Sequence, residues 1–223
     1  MEKTIGVTGA SQIPQQRGEQ LLETAVRYAE ERHWDVFPGA WLEYGGETPR
    51  CSCDADDCAA PGAHPTGPGW AGQASGSATA VRRMWTKHPG ASILLPTGRT
   101  FEAIEVPETA GCLALARMER MELPLGPVTR TPGRRMLFLV LPGASVKIPD
   151  LVRGLGWPPA ALELICRGEG EYIAAPPTRM GPHGSVQWAR RPTATNRWLP
   201  DVEELISPLA YACGRDAAAG RGR

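Results

Sequence analysis

A chain of 223 residues, 42% of them hydrophobic, is long enough for one large domain or two small ones with a real core; its 22 prolines and 26 glycines forecast many short elements joined by turns. Basic and acidic residues number 24 each, for a formal net charge of +0. The opening segment MEKTIGVTGASQIPQQRGEQ holds no apolar core of signal-peptide length and no later run approaches a membrane span, so a cytoplasmic protein is expected rather than a secreted or membrane one.

The neutrality hides an asymmetry. Residues 1–126 carry 11 basic and 16 acidic residues, a net of −5, whereas residues 127–223 carry 13 and 8, a net of +5. The basic half is the better candidate for a phosphate-bearing partner.

In chain order, residues 1–18 read as a flexible tail. Over residues 20–32, Leu21, Leu22, Ala25, Tyr28 and Ala29 recur at helical spacing with Glu and Arg opposite, which predicts a helix. Residues 34–39 predict a short strand, followed by a cysteine-rich loop. Thr79 is placed to cap a helix through Lys87, with Val81, Met84 and Trp85 inward. Residues 91–98 predict a strand and turn. Residues 101–106 alternate, with Phe101, Ala103 and Glu105 on one face and Ile104 and Val106 on the other. Pro107 suits the first turn of a helix reaching about Met121. Residues 127–143 predict a hairpin turning at Pro132-Gly133, with Met136, Phe138 and Val140 alternating. Residues 162–177 predict a second hairpin around Gly168-Glu169-Gly170, and residues 185–190 a further strand. A short amphipathic helix over residues 201–213, bent at Pro208, closes the fold, and residues 214–223 read as a disordered tail. This order is an α+β plan with one domain over residues 19–213.

The loop over residues 51–65, CSCDADDCAAPGAHP, holds three of the six cysteines and one of the four histidines. It has no apolar periodicity, so packing alone does not give it shape. In a reducing compartment clustered Cys and His point to metal rather than disulfides. Cys51, Cys53, Cys58 and His64 supply three thiolates and one imidazole, a closed tetrahedral shell that suits a structural zinc, since no position is left for water. The plainer alternative is a solvated loop with reduced thiols. Cys112, Cys166 and Cys213 stand apart and read as buried thiols.

This loop, the GW that follows it, AVRRMWTKHPGASILLPTGR, the PGRRMLFLV hairpin and RGEGEYIAAPPT with GSVQW occur in that order. Together they resemble the N-terminal domain of bacterial bifunctional DNA primase/polymerases, in the archaeo-eukaryotic primase superfamily, over roughly residues 20–200, and the chain resembles the short actinobacterial branch. The resemblance implies an RRM-like mixed or antiparallel sheet flanked by helices, with an inserted zinc loop. It also implies nucleotidyl transfer through two divalent cations, Mg²⁺ or Mn²⁺, held by an Asp-x-Asp pair at a strand end and a third Asp from a later strand. A histidine on a hairpin and a loop corresponding to AAPPT would bind nucleotide phosphates.

The sequence departs from that pattern. Glu105-Val106-Pro107 stands at the paired-carboxylate position, with Glu108 one residue out of phase. Arg135 stands at the hairpin histidine, and Ile165 at the third carboxylate, with Glu163 nearest. Arg134 and Arg135 suit phosphate, because guanidinium forks bind it bidentately, although a solvated hairpin edge reads equally well. Thr178 is a candidate hydroxyl donor. The expectation is a primase/polymerase-like domain that binds nucleotide or nucleic acid, with transfer weak or lost. Two alternatives stay open: a zinc-stabilised regulatory module that docks a protein such as a helicase or replication factor, and an active polymerase using Glu105, Glu108 and Glu163. In the second of these the Arg135 guanidinium is the obstacle, since it repels a cation and pairs readily with Glu105.

Overall fold

The computed structural model describes residues 12–45, 48–194 and 198–221. Helix α1 (Gln12–Arg32) leads into β1 (Phe37–Gly39), the ribbon strands β2 (Leu42–Glu43) and β3 (Arg50–Cys51), and α2 (Ala78–Lys87). Then follow β4 (Ser92–Pro96), β5 (Glu102–Pro107), α3 (Glu108–Arg120), β6 (Val128–Arg130) and β7 (Arg135–Val140). The chain ends with α4 (Ala144–Gly154), β8 (Ile165–Arg167), β9 (Tyr172–Ala174), β10 (Gln187–Arg190) and α5 (Val202–Arg221). Strands pair antiparallel throughout: β10-β6-β7-β5-β8 form the main sheet, β1-β4-β9 a second, and β2-β3 a two-stranded ribbon. The fold is α+β, antiparallel sheets flanked by helices.

Alternation along the two central strands divides the apolar residues between two cores. Ile104 and Val106 of β5, with Met136, Phe138 and Val140 of β7, face α3, α4 and α5. Phe101, Ala103, Leu137 and Leu139 face the second sheet, α1 and α2. Both faces are covered, so these strands read as nearly continuous apolar runs. On α1 the stripe Leu21, Ala25, Tyr28 and Ala29 is buried, and on α2 Val81 and Trp85. Among the described residues no helix is long and apolar enough to cross a membrane.

Four expectations are corrected. The tail predicted over residues 1–18 is already helical from Gln12, and Gly18 is buried against Pro89; residues 1–11 lie outside the described residues. The tail predicted from residue 214 is helical to Arg221, because α5 continues past Cys213 with Gly214 pressed on the Trp157 ring and Asp216 accepting from the Thr109 hydroxyl at 2.7 Å; residues 222–223 lie outside the described residues. The second hairpin does not form. Its turn at Gly168 sends the two strands to different sheets, β8 onto β5 and β9 onto β4. Helix α4 was not expected at all. Its buried stripe Ala144, Ile148 and Val152 has helical spacing, but Pro149 interrupts the run. In a smaller difference, Ser77 rather than Thr79 is the N-cap residue of α2.

Candidate active cleft and metal centre

Strand β5 brings Glu105 to the centre of the main sheet. In the ladders, Glu105 lies opposite Leu137 of β7 and Ile165 of β8. Residues two further along each neighbour share its face, which places Arg135 and Arg167 diagonally on either side. Both reach it. Arg135 Nε donates to Glu105 Oε1 at 3.0 Å, and Arg167 donates to Oε2 through Nε at 2.9 Å and lies 2.8 Å away through Nη2. The Glu105 side chain is only 13% exposed, so the pairs are largely shielded.

The pairs extend outward with alternating sign. Arg135 Nη2 donates to the Glu163 carbonyl at 3.0 Å and its Nη1 lies 3.5 Å from the Glu163 carboxylate. Arg167 Nη1 donates to Glu171 at 3.0 Å, and Glu171 also accepts from the Gly168 N–H at 3.0 Å. Burial disfavours the Arg167 charge, yet Glu105 and Glu171 outweigh it and hold its pKa above the ordinary value. This network forms the floor of a cleft of about 380 Å³. Its wall is aromatic: Trp70 stacks on Phe37 with centroids 4.7 Å apart, and Tyr172 meets Trp70 edge-on at 5.5 Å.

Glu108 does not join Glu105. It opens α3 with its carboxylate 3.4 Å from Arg130 and 3.7 Å from Arg134. Pro107 offers no side-chain oxygen, and Ile165 is exposed and apolar. Hard divalent cations need several converging carboxylate oxygens. Here both oxygens of Glu105 accept from guanidinium groups, and among the described residues no group of three acidic, His or Cys side chains converges outside the Cys/His loop. The residues do not fit a two-cation centre.

The loop is different. Cys51, Cys53, Cys58 and His64 bring their ligand atoms within 4.8 Å of one another and could hold a metal such as zinc. Cys51 is fixed by the β2–β3 ladder opposite Leu42, and its sulfur accepts from the Gly62 N–H at 3.3 Å. Gly62 has φ +78°, and a Cβ there would strike Leu42 and the Arg179 carbonyl, so the turn requires glycine. His64 Nδ1 donates to the Pro65 carbonyl at 2.7 Å, which leaves Nε2, 3.3 Å from Cys51 Sγ, as the free ligand atom. A hydrogen bond from the Ala55 backbone brings the Cys53 thiol down to about 7, whereas burial pushes Cys58 up to about 11. Ala63 lines the Glu105 cleft, so the loop is also part of its wall.

Thr178 is buried, with its hydroxyl bonded within the fold. It is 1% exposed, and its hydroxyl accepts from the Ile93 N–H at 2.9 Å and donates to the Ile93 carbonyl at 3.1 Å, a clip between β4 and the segment after β9. Arg134 lies at the hairpin turn with its side chain 79% exposed. Sequence reasoning missed Arg167, Glu171, Trp70 and Tyr172. Period-two alternation from Arg167 would have exposed the first, had β8 been paired with β5.

Compared with known protein families, residues 25–202 match the model for the bifunctional DNA primase/polymerase N-terminal domain. No curated protein and no solved structure matches the chain.

Proposed function

The chain belongs to the bifunctional DNA primase/polymerase N-terminal family, and from that premise we propose that it binds nucleotide or nucleic acid while its nucleotidyl transfer is weak or lost. The observation that carries the second half is the double clamp on Glu105. Two guanidinium groups occupy the space and the lone pairs that a divalent cation would need, and each repels one. Mg²⁺ or Mn²⁺ therefore has no role in holding this cleft together.

Phosphate contacts fall to Arg134 rather than Arg135. The Arg135 donors are spent on Glu105 and Glu163, whereas Arg134 is exposed and loosely paired. The Cys51, Cys53, Cys58 and His64 cluster holds a structural zinc in a reducing, cytoplasmic setting. Titration with labelled single-stranded DNA and with nucleotides tests the binding half. Binding that weakens steeply with added salt, and weakens again in Arg134→Ala, is the expected outcome. No binding at micromolar protein, or binding indifferent to salt, would contradict it and favour a protein-docking module.

A further inference from the structure

A second groove, of about 460 Å³, lies between the start of α1, the β2–β3 ribbon and the loop carrying Arg179. None of its lining residues borders the Glu105 cleft. Its wall is mostly apolar, with Trp41, Leu42 and Gly90, and its rim carries Tyr44, 53% exposed. Two guanidinium groups lie against the Tyr44 ring, Arg17 at 5.6 Å and Arg179 at 5.3 Å from its centroid. Arg179 Nη1 also donates to the Tyr44 hydroxyl at 2.7 Å, which fixes the ring and aims the guanidinium. Among the described residues neither arginine lies within ion-pair distance of a carboxylate. The acidic residue of the lining, Glu43, stands opposite Arg50 in the ribbon ladder. This contrasts with the cleft floor, where every arginine is neutralised by glutamate.

The metal loop supports both walls. Leu42 pairs with Cys51, and Trp41 exchanges hydrogen bonds with Ser52, its carbonyl accepting at 2.9 Å and its N–H donating to the hydroxyl at 3.0 Å. On the other wall the Gly181 N–H donates to the Pro61 carbonyl at 2.8 Å, just beyond Arg179.

We propose that this groove binds a single strand of nucleic acid, with bases against Trp41 and Tyr44 and backbone phosphates on Arg17 and Arg179. The proposal rests on the nucleic-acid reading above and adds a place for the strand that the primase resemblance did not indicate. The exposed Tyr44 ring and the half-buried Trp41 ring, which packs on His88 with centroids 5.9 Å apart, offer sequence-tolerant stacking to a base, and unneutralised guanidinium forks match phosphate. An acidic peptide would use the arginines alone and leave the rings unused.

The test is fluorescence anisotropy of labelled oligo(dT) against the full chain and its variants. Tyr44→Ala is expected to weaken binding about tenfold, the effect of losing one stacked base. Arg179→Ala is expected to weaken it several-fold and to flatten the salt dependence by about 0.7 in the log–log slope, one phosphate contact on a single strand. Unchanged melting temperatures show that neither variant has lost its fold. If the parent chain binds oligo(dT) and both variants bind within twofold of it, the groove is overturned and the nucleic-acid function stands. If the parent chain binds none, the groove and the nucleic-acid reading fall together, in favour of a protein partner.

Discussion

Glu105 and its two arginines form a unit whose parts depend on one another. A carboxylate this shielded, at 13% exposure, needs counter-charges to stay in place. Arg167→Ala removes two of its contacts and is expected to cost about 1–3 kcal/mol of stability, the usual range for a charge-assisted hydrogen bond that is partly solvated. Arg135→Ala together with Arg167→Ala leaves the carboxylate without a counter-charge and should cost about 3–5 kcal/mol. Urea unfolding of the single and double variants measures both; costs within error of zero would show that the clamp is ornamental to stability. The Arg135 half of this unit was legible through the family resemblance, whose pattern sets the strand-end carboxylate, Glu105 here, facing the hairpin position that Arg135 fills, and the β5–β7 ladder puts the two on one face. The Arg167 half was not. Reading β8 and β9 as one hairpin paired Arg167 with the wrong neighbour, and nothing local to Gly168 says that two strands leave the turn for different sheets.

Among the elements, α4 shows most clearly what local patterns conceal. Gly143, at φ +94°, turns the chain after β7, and the helix starts beneath the side chain of Glu102. That carboxylate accepts from the Gly143 N–H at 3.1 Å, the Ser145 N–H at 2.6 Å and the Ser145 hydroxyl at 3.2 Å. It acts as a cap supplied from another strand, 43 positions before Ser145 in the chain. No residue next to the helix announces it, and Pro149 masks the apolar stripe, so the helix is invisible without the fold. Glu102→Ala strips these three hydrogen bonds and a fourth from the Cys166 thiol at 3.6 Å, in a site that is 4% exposed, and should cost about 3 kcal/mol. Hydrogen exchange over residues 144–154 should rise in that variant more than exchange over α3. Equal protection of the two helices would mean that packing alone sets the start of α4. By contrast β5, β7 and α2 were legible, since β5 and β7 are short, mostly apolar runs bounded by Gly and Pro turn signals and α2 carries a helical apolar spacing.

At the scale of the whole molecule, the Cys/His loop ties the ribbon, the second groove and the wall of the Glu105 cleft to one another. The convergence of Cys51, Cys53, Cys58 and His64 was legible because Cys/His spacing is a sequence signal that needs no periodicity. Purified protein should contain close to one zinc per chain. Cys53→Ser should lose it and lower the thermal midpoint by several degrees, as a loop without a core of its own depends on the metal for shape. Zinc-free protein melting at the same temperature would contradict that. The central proposal concerns the cleft, where Arg135 and Arg167 both donate to Glu105. Primer extension with Mg²⁺ and with Mn²⁺, run on the parent chain and on Glu105→Gln, tests it most directly. The account predicts incorporation at background in all four reactions, with no difference between the two proteins. Template-dependent incorporation in Mn²⁺ that disappears in Glu105→Gln would contradict it.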